Sequence, residues 1–124
     1  MLLKEDLRFI DLAGRDLSAM VLRESCLEGA DLHGAMLAFT DLTGADLRRA
    51  NLEGVHLLGT LLGGANLGRA KLRGAKFAAV EISRPDGSRT GTFQAPDLTD
   101  ADLRGAELTD VDLAPCNLTG AKLD

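Results

Sequence analysis

The sequence predicts an all-β solenoid in which each five-residue unit supplies one short extended side and one corner. Three observations predict it. An apolar residue recurs at every fifth position from Leu2 or Leu7 through Leu72, Phe77 and Ile82, then from Phe93 or Leu98 to Leu123. A small residue stands two places before it, and an Asp or Asn stands between the two in most units. Glycine often closes the unit. A spacing of five fits no single regular element: on an α-helix successive leucines precess by about 140°, and on a continuous strand they alternate faces. Each unit must therefore turn once.

Within a unit, the leucine and the small residue two places earlier point to the same side of an extended segment. Ala30, Ala35, Thr40, Ala45, Ala50, Val55, Thr60, Ala65, Ala70 and Ala75 are thus expected inside with their leucines. The intervening residue faces out, at Asp11, Asp16, Asp31, Asp41, Asp46, Asn51, Asn66, Asp97, Asp102, Asp112 and Asn117. Corners with glycine, such as Gly34 and Gly74, suit type II turns, whose third residue has positive φ. Corners at Arg49, Arg69, Asp110 and Pro115 are expected to turn differently.

Units such as Ala30-Asp31-Leu32-His33-Gly34, Ala50-Asn51-Leu52-Glu53-Gly54 and Ala101-Asp102-Leu103-Arg104-Gly105 resemble the A(D/N)LXX signature of the pentapeptide-repeat family. The resemblance implies a right-handed parallel β-helix of square cross-section. Each coil would hold four units, with coils about 4.8 Å apart and about six coils in this chain. Leu12, Leu32, Leu52 and Leu72 would then form one column. Residues 1–124 are expected to form one such domain, interrupted by a loop near 83–92. Some family members protect DNA gyrase by resembling duplex DNA, so the resemblance predicts fold far more strongly than function.

Composition narrows the classes of function. The chain carries a net charge of −5, no Trp or Tyr and only four Phe. Met1-Leu2-Leu3 is followed at once by Lys4, Glu5 and Asp6, which offers no apolar run for a signal peptide or membrane span, so a cytoplasmic, membrane-free protein is expected. Cys26, read as outward, and Cys116, read as inward, lie coils apart and should be free thiols. His33 and His56 fall on different faces without a second ligand at metal spacing. No serine has a recognisable His-Asp partner, and the Gly63-Gly64 pair is two corners of the repeat rather than a phosphate loop. Neither an enzyme nor a cofactor is expected.

Three surfaces remain as candidates. Adding 20 per coil gathers Val21, Met36, Phe39, Leu58 and Leu61 at one corner, an apolar patch of the kind that marks contacts. Arg84, Pro85, Asp86, Gly87, Ser88 and Arg89 form a turn-rich break with a spacing of eleven from Ile82 to Phe93, where a loop or small hairpin should project and carry recognition. Asp97, Asp100, Asp102, Glu107, Asp110 and Asp112 wrap an acidic C-terminal end, whereas Arg69, Lys71, Arg73 and Lys76 make a basic waist.

These surfaces predict a rigid, non-enzymatic scaffold for a protein partner. The alternative is a DNA-mimicking inhibitor or protector of a nucleic-acid enzyme such as a type II topoisomerase, acting through the acidic end. Direct nucleic-acid binding is not expected. A weak homodimer through the C-terminal end, joined by Leu113, Leu118 and Leu123, is expected from a repeat that runs on to the last residues without a cap.

Overall fold

A computed structural model describes residues 5–124. Leu2, as a first beat of the repeat, and the Met1-to-Lys4 segment lie outside the described residues. The outward residues pair coil to coil in four parallel ladders. One runs Asp6, Cys26, Asp46, Asn66, Asp102, Lys122, and a second runs Asp11, Asp31, Asn51, Lys71, Glu107. A third joins Asp16, Met36 and His56, then continues where β1 (His56–Leu58) pairs in parallel with β2 (Lys76–Ala78). The fourth runs Val21, Asp41, Leu61, Asp97, Asn117. Four ladders give four sides, the square β-helix that the five-residue beat requires.

Each rung is held by a pair of backbone bonds. Asp31, for example, donates its N–H to Ile10 O at 2.9 Å and its carbonyl accepts Leu12 N–H at 2.8 Å. The interior follows the predicted alternation: Leu32, Leu52 and Leu72 stack in one column at no more than 1 % exposure, with half-buried Leu12 above them. Burying each leucine contributes roughly 1.5 to 3 kcal/mol, and the gain accrues between neighbouring coils rather than in one globular centre. Ser25, Thr40 and Thr60 are buried polar members of the inward small positions. The hydroxyls of Thr40 and Thr60 donate to the carbonyls of Leu17 and Leu37, one coil up, at 2.8 and 2.6 Å, and among the described residues no buried side-chain polar atom is left without a partner.

At the corners a leucine carbonyl accepts the N–H three residues on, as from Leu32 to Ala35 at 3.0 Å. The expectation that Arg49, Arg69 and Asp110 would turn differently is overturned: they adopt φ of 59°, 59° and 62°, close to the 69° of Gly74. A single residue in this left-handed region costs about 1 kcal/mol or somewhat more, and the rungs on either side fix the corner whichever residue occupies it. Pro115, whose ring locks φ negative, is not among the residues with positive φ.

The second correction concerns Ile82 and Phe93. Both keep the five-residue beat but neither enters the column, being 40 % and 59 % exposed. They belong to an antiparallel hairpin of β3 (Val80–Ser83) and β4 (Arg89–Gln94). The ladder passes from Leu61 to Asp97, and Leu62 N–H donates to Asp97 O at 2.7 Å, so Leu98 takes the place in the column that the beat assigns to Ile82. The departure thus begins just after Ala78 and ends before Asp97, wider than 83–92.

Candidate interaction surfaces

The apolar residues meet around one edge of the square. Met36 lies on the third ladder, Val21 and Leu61 on the fourth, Phe39 on a turn that joins these two sides, and Leu58 at the end of β1 one coil on. Met36 is 44 % exposed, whereas Val21, Phe39, Leu58 and Leu61 are half-buried. The Phe39 ring lies over Gly59 in the next coil. One coil further, this edge is where the chain leaves for the hairpin, and Gln94 at the hairpin's return donates its side-chain N–H to Gly59 O. Two surfaces that are 45 residues apart in sequence, Phe39 and Arg84, therefore belong to one edge and the arm that springs from it.

The hairpin is internally braced. Arg84 donates to Ser88 Oγ and to Arg89 O, the latter at 2.7 Å, and Asp86 accepts the Ser88 N–H at 2.8 Å, closing the Pro85-Asp86-Gly87 tip. Those Ser88 bonds hold the Asp86 carboxyl below its ordinary range. Glu81 ties the strands, one oxygen accepting Arg89 Nε and the other the Gly91 N–H, both at 2.7 Å. Thr90 Oγ1 donates to Ile82 O. Sequence reasoning missed Glu81, Ile82 and Phe93 as members of the arm. The eleven-residue step between Ile82 and Phe93 was the signal available.

The acidic residues are distributed over different sides: Asp97 on the fourth ladder, Asp102 on the first and Glu107 on the second. Asp97, Asp102 and Asp112 each accept the N–H two residues on, from Thr99, Arg104 and Ala114, at 2.9, 3.0 and 2.9 Å. The same bond recurs at Asp31, Asp46, Asn51 and Asn66, so the signature acid or amide serves its own corner. Asp102 is in addition clasped by Arg104 through Nε and Nη2, which pulls its carboxyl down to about 2. Asp100 and Asp110 occupy corners with positive φ and are exposed. At the C-terminal end Leu113 and Leu118 are half-buried and Leu123 is 48 % exposed.

The basic residues also divide. Lys71 is on the second ladder and Lys76 on the third, Arg73 lines a shallow groove with His33, Asn51, Glu53 and Gly54, and Arg69 lines another with Arg48, Arg49 and Arg104. His33 Nδ1 is 2.7 Å from Asp31 Oδ1, and this bond raises the imidazole above its ordinary value. Cys26 and Cys116 are free, and burial pushes the Cys116 thiol up to about 12, with Asp112 adding to the shift. Among the described residues no helix is long and apolar enough to cross a membrane.

A family model of pentapeptide repeats matches residues 6–37, 16–54, 40–78 and 92–124 in eight copies. The chain is similar to a pentapeptide repeat protein from the thylakoid lumen of Arabidopsis thaliana, at 30 % identity and a TM-score of 0.57, over 89 % of this chain and 69 % of that one. It is also similar to Rfr23, a pentapeptide repeat protein from the cyanobacterium Cyanothece 51142, at 28 % identity and a TM-score of 0.32, over 93 % and 60 %. A form of QnrB1, a plasmid-mediated fluoroquinolone resistance protein, is 23 % identical with a TM-score of 0.41, over 96 % of this chain and 57 % of that one. No curated protein matches. The gap in the family match, 79–91, falls within the segment that leaves the ladders, and on these repeats and their four-sided stacking the chain belongs to the pentapeptide-repeat family.

Proposed function

We propose that this protein is a non-enzymatic scaffold that grips a protein partner between the Phe39 edge and the hairpin arm. One observation carries the reading: of the five large apolar residues that are exposed among the described residues, Met36, Ile82 and Phe93 all lie on that edge or on the arm that leaves it. Apolar side chains held out on a braced hairpin beside a rigid wall lose little conformational entropy on docking, which favours affinity. The edge is apolar, so the contact should persist at high salt, unlike one made by the acidic end.

The test is capture of partners by the whole protein and by Phe93→Ser, Met36→Ser and an Asp102→Asn/Glu107→Gln variant, at low and high salt. A partner held at high salt by the parent and the acidic variant, but lost by Phe93→Ser and Met36→Ser, supports the edge. A partner lost by the acidic variant and by salt, and kept by both serine variants, overturns it in favour of a DNA-mimicking acidic surface. Weak pairing of two C-terminal ends through Leu123 is part of the same proposal. Sedimentation should then show association that strengthens with salt and disappears in Leu123→Ser.

A further inference from the structure

The corner between the first and second ladders carries an arginine at several successive levels. Its first turn position reads Arg8, Glu28, Arg48, Gly68, Arg104 down the stack, and its second reads Phe9, Gly29, Arg49, Arg69, Gly105. Arg48, Arg49, Arg69 and Arg104, with Asn66, Gly68 and Asp102, line a groove of about 240 Å³. Asp102 is the carboxylate among these lining residues, while Asp46 and Glu28 pair with Arg48 and Glu28 also pairs with Arg49.

The arginines are not equally occupied. Arg48 presents Nε and Nη2 to Asp46 at 2.9 and 2.7 Å, and Arg104 presents the same two atoms to Asp102 at 3.1 and 2.9 Å. These forks leave both Nη1 groups without a hydrogen-bond partner among the described residues while fixing the guanidinium planes. Arg49 reaches Glu28 through Nη1 alone at 3.1 Å. Arg69 makes no ion pair among the described residues.

Gly68 is the reason that the groove exists. Unlike Gly64 and Gly74 it lacks positive φ, so the turn does not demand glycine there. Other coils carry Glu28, Arg48 and Arg104 at this position, and Arg48 does so while donating its N–H to Asp46 as Gly68 does to Asn66. The missing side chain opens a notch between Arg48 above and Arg104 below, two coil spacings or about 10 Å apart along the stack. Arginine side chains are long enough to reach in from those two levels toward a phosphate group and donate charge-assisted bonds of about 2.8 Å to it.

We propose that the Gly68 notch is a binding site for a phosphoryl group, held by Arg69 and Arg49 with the free edges of Arg48 and Arg104. A planar carboxylate matches the forks already filled by Asp46 and Asp102. The remaining donors belong to the levels above and below Gly68 and to Arg69 beside it, a set that suits a tetrahedral oxyanion with three terminal oxygens. Asp102 lies on the rim, its charge engaged by Arg104. The group could be carried by a free anion or by a monoester, and both present the same terminal oxygens.

The test is a titration of the whole protein, followed by amide NMR, with pyrophosphate and separately with glycerol 3-phosphate, at matched ionic strength. The amides of Gly68 and Arg69 should shift saturably with a dissociation constant below about 1 mM. Arg69→Ala, and Gly68→Glu, which copies the residue at Glu28, should each weaken binding about tenfold or more, while Lys76→Ala on the third ladder should bind as the parent does. Saturation by both probes assigns the site to any terminal phosphoryl group, and saturation by pyrophosphate alone assigns it to free polyanions. Absence of saturation, equal binding by folded Gly68→Glu and Arg69→Ala, or equal loss in Lys76→Ala would each overturn the proposal.

Discussion

The ring of Phe39 lies against Gly59, so that a methyl group on Gly59 would stand 3.1 Å from Phe39 Cε1. Phe39 itself has a φ of 58°, and this conformation directs its side chain down the corner rather than away from it. The relation repeats between Phe9 and Gly29, Glu24 and Gly44, Arg69 and Gly105, and Asp100 and Gly120. A corner side chain in one coil covers a glycine in the next, which ties successive levels together outside the leucine core.

This arrangement separates two costs of replacing glycine. Gly74→Ala meets nothing within 4 Å and should lose only the left-handed backbone preference, about 1 kcal/mol. Gly59→Ala has the same backbone cost and also displaces the Phe39 ring, so its loss should be larger by about 1 kcal/mol. Urea unfolding of the two variants measures the difference. Equal losses would mean that the ring moves aside freely.

Adjacent residues on one rung should behave oppositely. Leu47 is fully buried, and Leu47→Asp would place an unpaired charge between coils, a change of several kcal/mol that should unfold the protein. Asp46→Ala removes the bonds to Arg48 at the surface and should cost about 1 kcal/mol. Circular dichroism and thermal melting of the pair would show whether inward and outward positions are assigned correctly.

In the hairpin, Glu81→Gln should loosen the arm without touching the stack. Its two oxygens hold Arg89 and Gly91, and the amide can replace only one of these acceptors. Amide hydrogen exchange should accelerate by about tenfold over residues 80–94, while the Leu52 and Leu72 amides keep their protection. Removal of Arg84 to Arg89 should likewise leave the thermal midpoint within about 2 °C.

The Asp31–His33 pair gives a pH signature with a definite sign. Because Asp31 raises the His33 pKa, the pair's stabilisation is fully present below the unfolded value of about 6.5 and fades as pH rises through the higher folded value. Asp31→Asn keeps an acceptor for the His33 N–H, as Asn51 does one coil on for Glu53, but removes the charge. An NMR titration should find the imidazole value lower in that variant than in the parent.

The thiol of Cys116, raised to about 12 by burial, should resist alkylation near pH 8 in the folded protein and react readily in urea. Mass spectrometry of iodoacetamide-treated samples checks this.

The stacked columns were legible because the repeat states, unit by unit, which residue faces in. Leu32 over Leu52 follows from the spacing alone, and so does Asp46 outside beside Leu47 inside. The corners were less legible: glycine announces positive φ, but Arg49 and Arg69 reach it under constraint from neighbouring rungs, which a single pentad does not display. The hairpin's extent was hidden for a related reason. Ile82 and Phe93 suit a strand in the arm as well as a place in the core, and only the pairing of Leu61 with Asp97 distinguishes the two. The Gly68 notch was not legible, since glycine in a repeat full of corner glycines reads as one more turn.

Between Asn66 and Asp102, as between Leu61 and Asp97, the ladder advances one level over 36 residues, whereas Asp46 and Asn66 are separated by 20. The stack therefore registers 16 surplus residues as no axial rise at all. Chain length at this edge is decoupled from the pitch of the helix, so the stretch after Ala78 is a grafting port: segments of other lengths and chemistries could be spliced in there at an entropic cost that grows only logarithmically with length, leaving the leucine columns above and below in register.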